Sequence, residues 1–158
     1  MAALSMAFDT PWKASNEIGR MLSWPLAWLR LRMAGVRVGP GWRLYGLPII
    51  QRHRRSVMRV GARLNLRSHW RSNPLGPSHP VIFSTRRPGA DLIIGDDFGM
   101  TSGAIVAEAG ITIGDRVTVG ANTVICDTDF HPLDPLVRQQ RPIDGVALPI
   151  TIGDDVFI

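Results

Sequence analysis

One cysteine, Cys126, is all the thiol chemistry this 158-residue chain holds. An internal disulfide is excluded, and an unpaired thiol suits a reducing compartment. Cys126 directly follows Ile125 and reads as packing, because no reactive partner arrangement surrounds it. Lysine is nearly missing too, with one Lys against 17 Arg, a bias of the kind a GC-rich bacterial genome produces. Acidic residues are scarce in the first part. Residues 1–90 hold 15 Lys+Arg and only Asp9 and Glu17, a balance of +13, whereas residues 91–158 hold 3 Arg and 11 Asp+Glu, a balance of −8. No run approaches the ~20 apolar residues that span a bilayer. The chain start lacks the basic n-region and cleavage site of a secretory signal. There is no Gly-rich phosphate loop, Ser-His-Asp set or redox Cys pair, and no nucleic-acid motif accompanies the basic half. These absences point to a cytoplasmic protein without a nucleic-acid partner. If the basic half meets anionic head groups, it sits peripherally at the inner face of the membrane.

What is present is a repeat. Ile94-Gly95, Ile113-Gly114 and Val119-Gly120 each pair an aliphatic residue with glycine, and Ile113, Val119 and Ile125 are spaced by six. An amphipathic helix spaces apolar residues by three and four, and a simple strand by two. A step of six marks hexapeptide repeats, in which each short strand points one aliphatic side chain into a narrow prism. The glycines and the Asp96-Asp97, Asp115-Arg116 and Ala121-Asn122 pairs that follow them are expected to make the corner turns, where φ > 0 or local side-chain bonding is needed. Met100, Ile105 or Val106, and Ile111 extend the inward series.

The stretch IGDDFGMTSGAIVAEAGITIGDRVTVGANTVICDTDFHPLD, residues 94–134, resembles the hexapeptide-repeat acyltransferases. It is most similar to the O-acetyltransferases of polysaccharide biosynthesis and the galactoside and maltose O-acetyltransferases. The resemblance spans Val57 to Ile158 and rests on repeat phase, post-repeat loop and histidine together. It implies an all-β fold, a left-handed parallel β-helix of about four coils. It also implies acetyl transfer from acetyl-CoA to a sugar hydroxyl, here on a surface-polysaccharide precursor. The unit it implies is a homotrimer with sites at subunit interfaces. An N-acetyltransferase acting on an amino sugar or antibiotic is the neighbouring chemistry, and a non-catalytic β-helix scaffold the alternative outside enzymes. Ile158 falls in mid-coil, and family members continue for further coils, so truncation is expected at this end.

The remaining segments frame that core. Residues 1–10 carry no periodic signal. Thr10-Pro11 starts a helix as N-cap and first helical residue. Ile18, Leu22, Leu26, Leu29 and Met33 form its apolar face, with Pro25 predicting a kink or two short helices. Residues 1–34 thus form a helical segment, read as a cap on the open end of the prism or as an interfacial membrane helix. The β-helix domain takes residues 35–158, with Val38-Gly39 a candidate first repeat turn. Strands are expected over Leu47–Ile50, Val57–Val60 and Val81–Ser84, with a turn over Gln51–Arg55. RSHWRSNPLGPSHP, residues 67–80, is too polar and Pro-rich for a coil and reads as an extruded loop, as does 126–148.

Acyl transfer to a hydroxyl needs a base for the hydroxyl proton, and histidine suits it with a pKa near ~6.5. In the family the block DTDFHP carries that base, which makes His131 the catalytic candidate. Asp127, Asp129 and Glu108 are open alternatives for orienting the imidazole, as is a backbone carbonyl. The family places acceptor-binding polar groups at positions matching Asn73, His79 and Ser102, although turn chemistry accounts equally for Asn73 and Ser102. Arg138 and Arg141 could meet a phosphate or acidic sugar. Zinc is not expected. The γ-type carbonic anhydrases share the β-helix but need three histidines on one metal, and His53, His69, His79 and His131 show no such spacing.

Overall fold

The computed structural model describes residues 8–143 and 145–158. Most of the unpatterned stretch at residues 1–10 lies outside the described residues. Among the described residues, thirteen short strands wind into three all-parallel sheets, a three-sided parallel β-helix. The first coil is β1 (Arg37–Val38), β2 (Arg43–Tyr45) and β3 (Ile49–Arg52); the second is β4 (Met58–Val60), β5 (Asn65–Arg67) and β6 (Ile82–Thr85). The third is β7 (Asp91–Ile94), β8 (Gly99–Thr101) and β9 (Ala104–Ala107); the fourth is β10 (Gly110–Ile113), β11 (Thr118–Val119) and β12 (Val124–Cys126). β13 (Ile150–Ile152) stacks on β10, and Phe157 bridges to Thr118 above β11. Each coil adds one strand to each sheet, in the orders β1-β4-β7-β10-β13, β2-β5-β8-β11 and β3-β6-β9-β12.

The six-residue step is the inward series. Ile113, Val119 and Ile125 are buried one per face, above Ile94, Met100 and Ile105 of the coil before. Ile105, not Val106, points inward, because Ser102 and Gly103 (φ 53° and 88°) turn that corner in one residue fewer. Phe83 and Phe98 fill the widest part of the prism, their ring centroids 6.4 Å apart.

The corners fall on the expected pairs, with positive φ at Asp97, Arg116 and Asn122, but the repeat glycines themselves do a different job. Gly61, Gly95 and Gly114 are not the residues with positive φ. That conformation falls two residues on, at Arg63, Asp97 and Arg116 (φ 57–59°). The glycines instead permit coil-on-coil stacking. A Cβ on Gly95 would lie 2.3 Å from Asp115 Oδ1 and 2.7 Å from the Gly114 backbone. Asp96 Oδ1 accepts the Ala62 N–H (2.8 Å), Asp115 Oδ1 that of Asp96 (2.7 Å) and Asp154 Oδ1 that of Asp115 (2.8 Å). This ladder of carboxylates ties each corner to the next. Outside it, Arg63 pairs with Asp97 (2.6 Å) and Arg116 with Asp155 (2.6 Å). The Arg63 guanidinium, bonded to Asp97, holds that carboxyl below the usual range.

Other boundaries shift slightly. Gln51 and Arg52 belong to β3 rather than to a turn, and β6 ends at Thr85. The two extruded loops lie where the broken repeat puts them, between β5 and β6 and between β12 and β13.

Helix α1 (Pro11–Met33) is uninterrupted, with Thr10 as N-cap and Pro11 opening it. Pro25 does not divide it into two short helices. Pro25 is exposed, so water can satisfy the carbonyl left without an N–H donor. The apolar face does not pack on the prism. Ile18, Leu22, Leu26, Leu29 and Met33 face solvent, while Ala27 and Leu31 are buried and join the core beside Leu44. The residues turned toward the prism, Asn16, Arg20, Ser23, Ala27 and Leu31, are mostly small or hydrogen-bonded, which lets the helix approach β2 closely. Trp24 stacks on Trp42 (5.5 Å, 14°), and Tyr45 donates a short hydrogen bond to Glu17. Burial would push the Glu17 carboxyl up. Its bonds from Tyr45 and Arg20 outweigh that and hold it below the usual carboxylate value. No helix among the described residues is long and apolar enough to cross a membrane.

Candidate functional site

The second extruded loop leaves β12 at Asp127 and is built to hold its shape. The buried Asp127 carboxylate accepts three consecutive N–H groups, those of Glu108 (2.7 Å), Ala109 (2.9 Å) and Gly110 (2.6 Å). It thereby fastens the start of the loop to the corner between β9 and β10. The ends of the loop are clamped together. Thr128 and Ala147 form an antiparallel bridge, Asp129 N–H donates to the Val146 carbonyl (3.0 Å), and Leu148 N–H to that of Asp127 (2.9 Å). Phe130 takes φ 57°, and the chain passes so close to Gly145 that a Cβ there would lie 2.5 Å from the Phe130 carbonyl carbon. Asp134 caps α2 (Pro135–Gln140) through the Leu136 and Val137 N–H groups. Arg138 is spent inside the loop, donating to the carbonyls of Pro132 (2.9 Å) and Leu133 (3.2 Å). Arg141 is exposed.

His131 sits exposed on this braced loop, and its Nδ1 is hydrogen-bonded to the Pro142 carbonyl. A carbonyl only accepts, so Nδ1 carries the proton and the neutral ring keeps its lone pair on Nε2. A backbone carbonyl therefore orients the ring. Two of the three candidate carboxylates have other bonds. Asp127 holds the corner described above. Glu108, with its side chain 7% exposed, pairs with Arg86 (3.0 Å) and Arg87 (2.8 Å) and accepts from the Thr128 hydroxyl (3.1 Å). Asp129 approaches His131 only through its backbone, its carbonyl accepting the His131 N–H (2.6 Å). The Arg86 guanidinium lies 5.6 Å from the Phe130 ring centroid, so the same basic pair supports the loop from below.

The acceptor candidates lie on the other extruded loop. Ser102 is fully buried; its hydroxyl donates to the His79 carbonyl (2.6 Å) and accepts the His79 N–H (3.4 Å). It locks the loop to the prism. The His79 ring is bonded through Nδ1 to the Pro80 carbonyl (2.8 Å). Asn73 closes a turn by accepting the Leu75 N–H (2.9 Å), and its amide donates to the Thr101 hydroxyl (3.3 Å). It lines a cleft of about 1120 Å³ between α1 and this loop, together with Trp12, Lys13, Tyr45, Arg67 and Arg71. The aromatic and cationic groups of that cleft carried no motif spacing, since helix, β2, β5 and loop each supply part of it.

The topology separates the two groups. Asn73, His79 and Ser102 stand where the chain passes from the β2-β5-β8-β11 sheet to the β3-β6-β9-β12 sheet, whereas His131 stands where it leaves the latter. A four-residue strand, roughly 13 Å, lies between the two corners. One chain joins His79 to Ser102, sets Asn73 on the same loop against Thr101, and leaves His131 apart. Among the described residues no group of three or more His, Cys, Asp or Glu is placed to hold a metal ion. Cys126 is a free, half-buried thiol. No family model matches this chain, and no curated protein and no solved structure is significantly similar to it.

Proposed function

We propose that this chain is an acetyl-CoA-dependent O-acetyltransferase of the hexapeptide-repeat type, with a left-handed β-helix, acting on a sugar hydroxyl of a surface-polysaccharide precursor. The observation that carries the reading is the state of His131: an exposed imidazole on a braced loop, with Nδ1 bonded to the Pro142 carbonyl and Nε2 free to accept a proton. In the proposed reaction Nε2 takes the acceptor hydroxyl proton as that oxygen attacks the thioester carbonyl carbon. The tetrahedral intermediate collapses with cleavage of the C–S bond, and the proton passes to the departing thiolate. Products are the acetyl ester and free coenzyme A.

The separation of the two loops supports a homotrimer, in which Asn73 and His79 of one copy would lie against His131 of the next, while the buried Ser102 only braces the loop. The resemblance of residues 94–134 to the family supplies the donor and the class of acceptor.

Thiol release from acetyl-CoA across a panel of sugars and amino sugars tests the proposal. His131→Ala should lower turnover by ~10²–10⁴ without moving the melting temperature. Turnover unchanged in a folded His131→Ala protein would remove the histidine from the mechanism. Turnover with amines alone would replace ester formation by amide formation.

A further inference from the structure

The packing of α1 leaves its apolar face without a protein neighbour. Ile18 (59% exposed), Leu22 (78%), Leu26, Leu29 and Met33 (77%) follow one another at steps of four, four, three and four, and all face away from the prism. Phe8, Met21 and Trp28 are exposed as well. An isolated exposed leucine means nothing, but a stripe along a whole helix marks a docking surface.

Charge decides what docks there. Arg30 and Arg32 are exposed in the last turns of the helix, and Arg32 lies 5.2 Å from the Trp28 ring centroid. Arg37 and Arg43 are exposed on the first coil, against which α1 packs. They belong to the half of the chain that carries +13, while the far coils carry −8. A second copy seated on the stripe would press these arginines against their own equivalents, a like-charge juxtaposition. An anionic lipid surface satisfies both features at once. Apolar side chains enter the head-group boundary, tryptophans sit at its level, and guanidinium groups meet phosphates.

We propose that α1 is an in-plane membrane anchor that seats the basic end of the β-helix on an anionic bilayer surface, with the acidic end pointing away from it. This does not rest on the acyl-transfer reading and can stand or fall without it.

Flotation of the full chain with vesicles tests the proposal. The protein should float with mixed phosphatidylcholine and phosphatidylglycerol vesicles and not with phosphatidylcholine alone, and added salt should release it. Leu22→Glu/Leu29→Glu alters only outward positions. It should abolish flotation while leaving the circular dichroism spectrum and melting temperature unchanged. Arg30→Gln/Arg32→Gln should weaken binding roughly tenfold or more, from about 1 kcal/mol for each basic residue at the surface. Blue-shifted tryptophan emission of the wild type on anionic vesicles would support the anchor independently of any variant. Absence of flotation at low salt would overturn the proposal, as would equal binding to neutral vesicles. So would a leucine double variant that loses self-association on size exclusion yet still floats, because the stripe would then be a contact between copies.

Discussion

Substituting alanine at Gly95 and at Gly19 adds the same methyl group and should move stability in opposite directions. At Gly95 the new Cβ would stand 2.3 Å from Asp115 Oδ1 and 2.7 Å from the Gly114 carbonyl carbon and oxygen. The backbone has little room to yield, because Gly95 lies between Gly61 and Gly114 in a stack fixed by parallel strand pairing at about 4.8 Å. Overpacking of this kind costs about 1–3 kcal/mol. The nearest clash is with a carboxylate whose bond to the Asp96 N–H (2.7 Å) must also break, and hydrogen bonds to charged groups contribute about 1.5–3 kcal/mol. The two costs share atoms and do not add fully, which leaves roughly 3–5 kcal/mol. For a domain of this size that lowers the melting temperature by about 6–20 °C. Gly19, in the interior of α1, has no atom within 4 Å of its would-be Cβ, so Gly19→Ala should stabilise by about 0.5–1 kcal/mol through helix propensity. Urea denaturation of both variants beside the wild type, followed by circular dichroism, measures the contrast. Gly95→Ala within about 0.5 kcal/mol of wild type would refute the stacking argument, because it would mean the coils separate freely at the corner.

Asp127→Ala leaves three backbone N–H groups without their acceptor at the corner between β9 and β10. It should lower stability by about 2–4 kcal/mol by urea denaturation, with faster hydrogen exchange at Glu108, Ala109 and Gly110. Glu17 has a lowered carboxyl pKa in the folded chain, so its contribution is fully present above the ordinary carboxylate pKa. That contribution is lost as pH falls through the lower folded value. The stability gap between wild type and Glu17→Gln, read by tryptophan fluorescence during urea unfolding, should therefore narrow on acidification; a gap that holds constant across that window would contradict the bond to Tyr45.

The periodicity of Ile113, Val119 and Ile125 was sufficient by itself for the three-sided repeat, because one inward side chain per strand is a local property and each coil restates it. The two extruded loops were equally legible, since the polar and proline-rich stretches cannot continue a coil. His131 stands out in the sequence only through the resemblance of its DTDFHP block to the acyltransferase family; taken alone, a histidine in a loop reads as a polar surface residue. Its orienting partner could not be singled out, because the Pro142 carbonyl is 11 residues away and reaches the ring only through the fold of the loop. The adjacent acids Asp127, Asp129 and Glu108 looked equally suitable in sequence. Tertiary contacts commit Asp127 to three amides and Glu108 to two arginines, while Asp129 reaches His131 only through its carbonyl. The glycines of the repeat were visible, but the reason for them was not. Positive φ is a single-residue property, whereas their close approach exists only once one coil lies on another. The direction of α1 was likewise decided by the fold. Periodicity shows that Ile18, Leu22, Leu26, Leu29 and Met33 share a face, but it carries no information about what that face meets. The end of the prism took the opposite side, where Ala27 and Leu31 let the helix come close to β2, and left the larger apolar side chains to solvent.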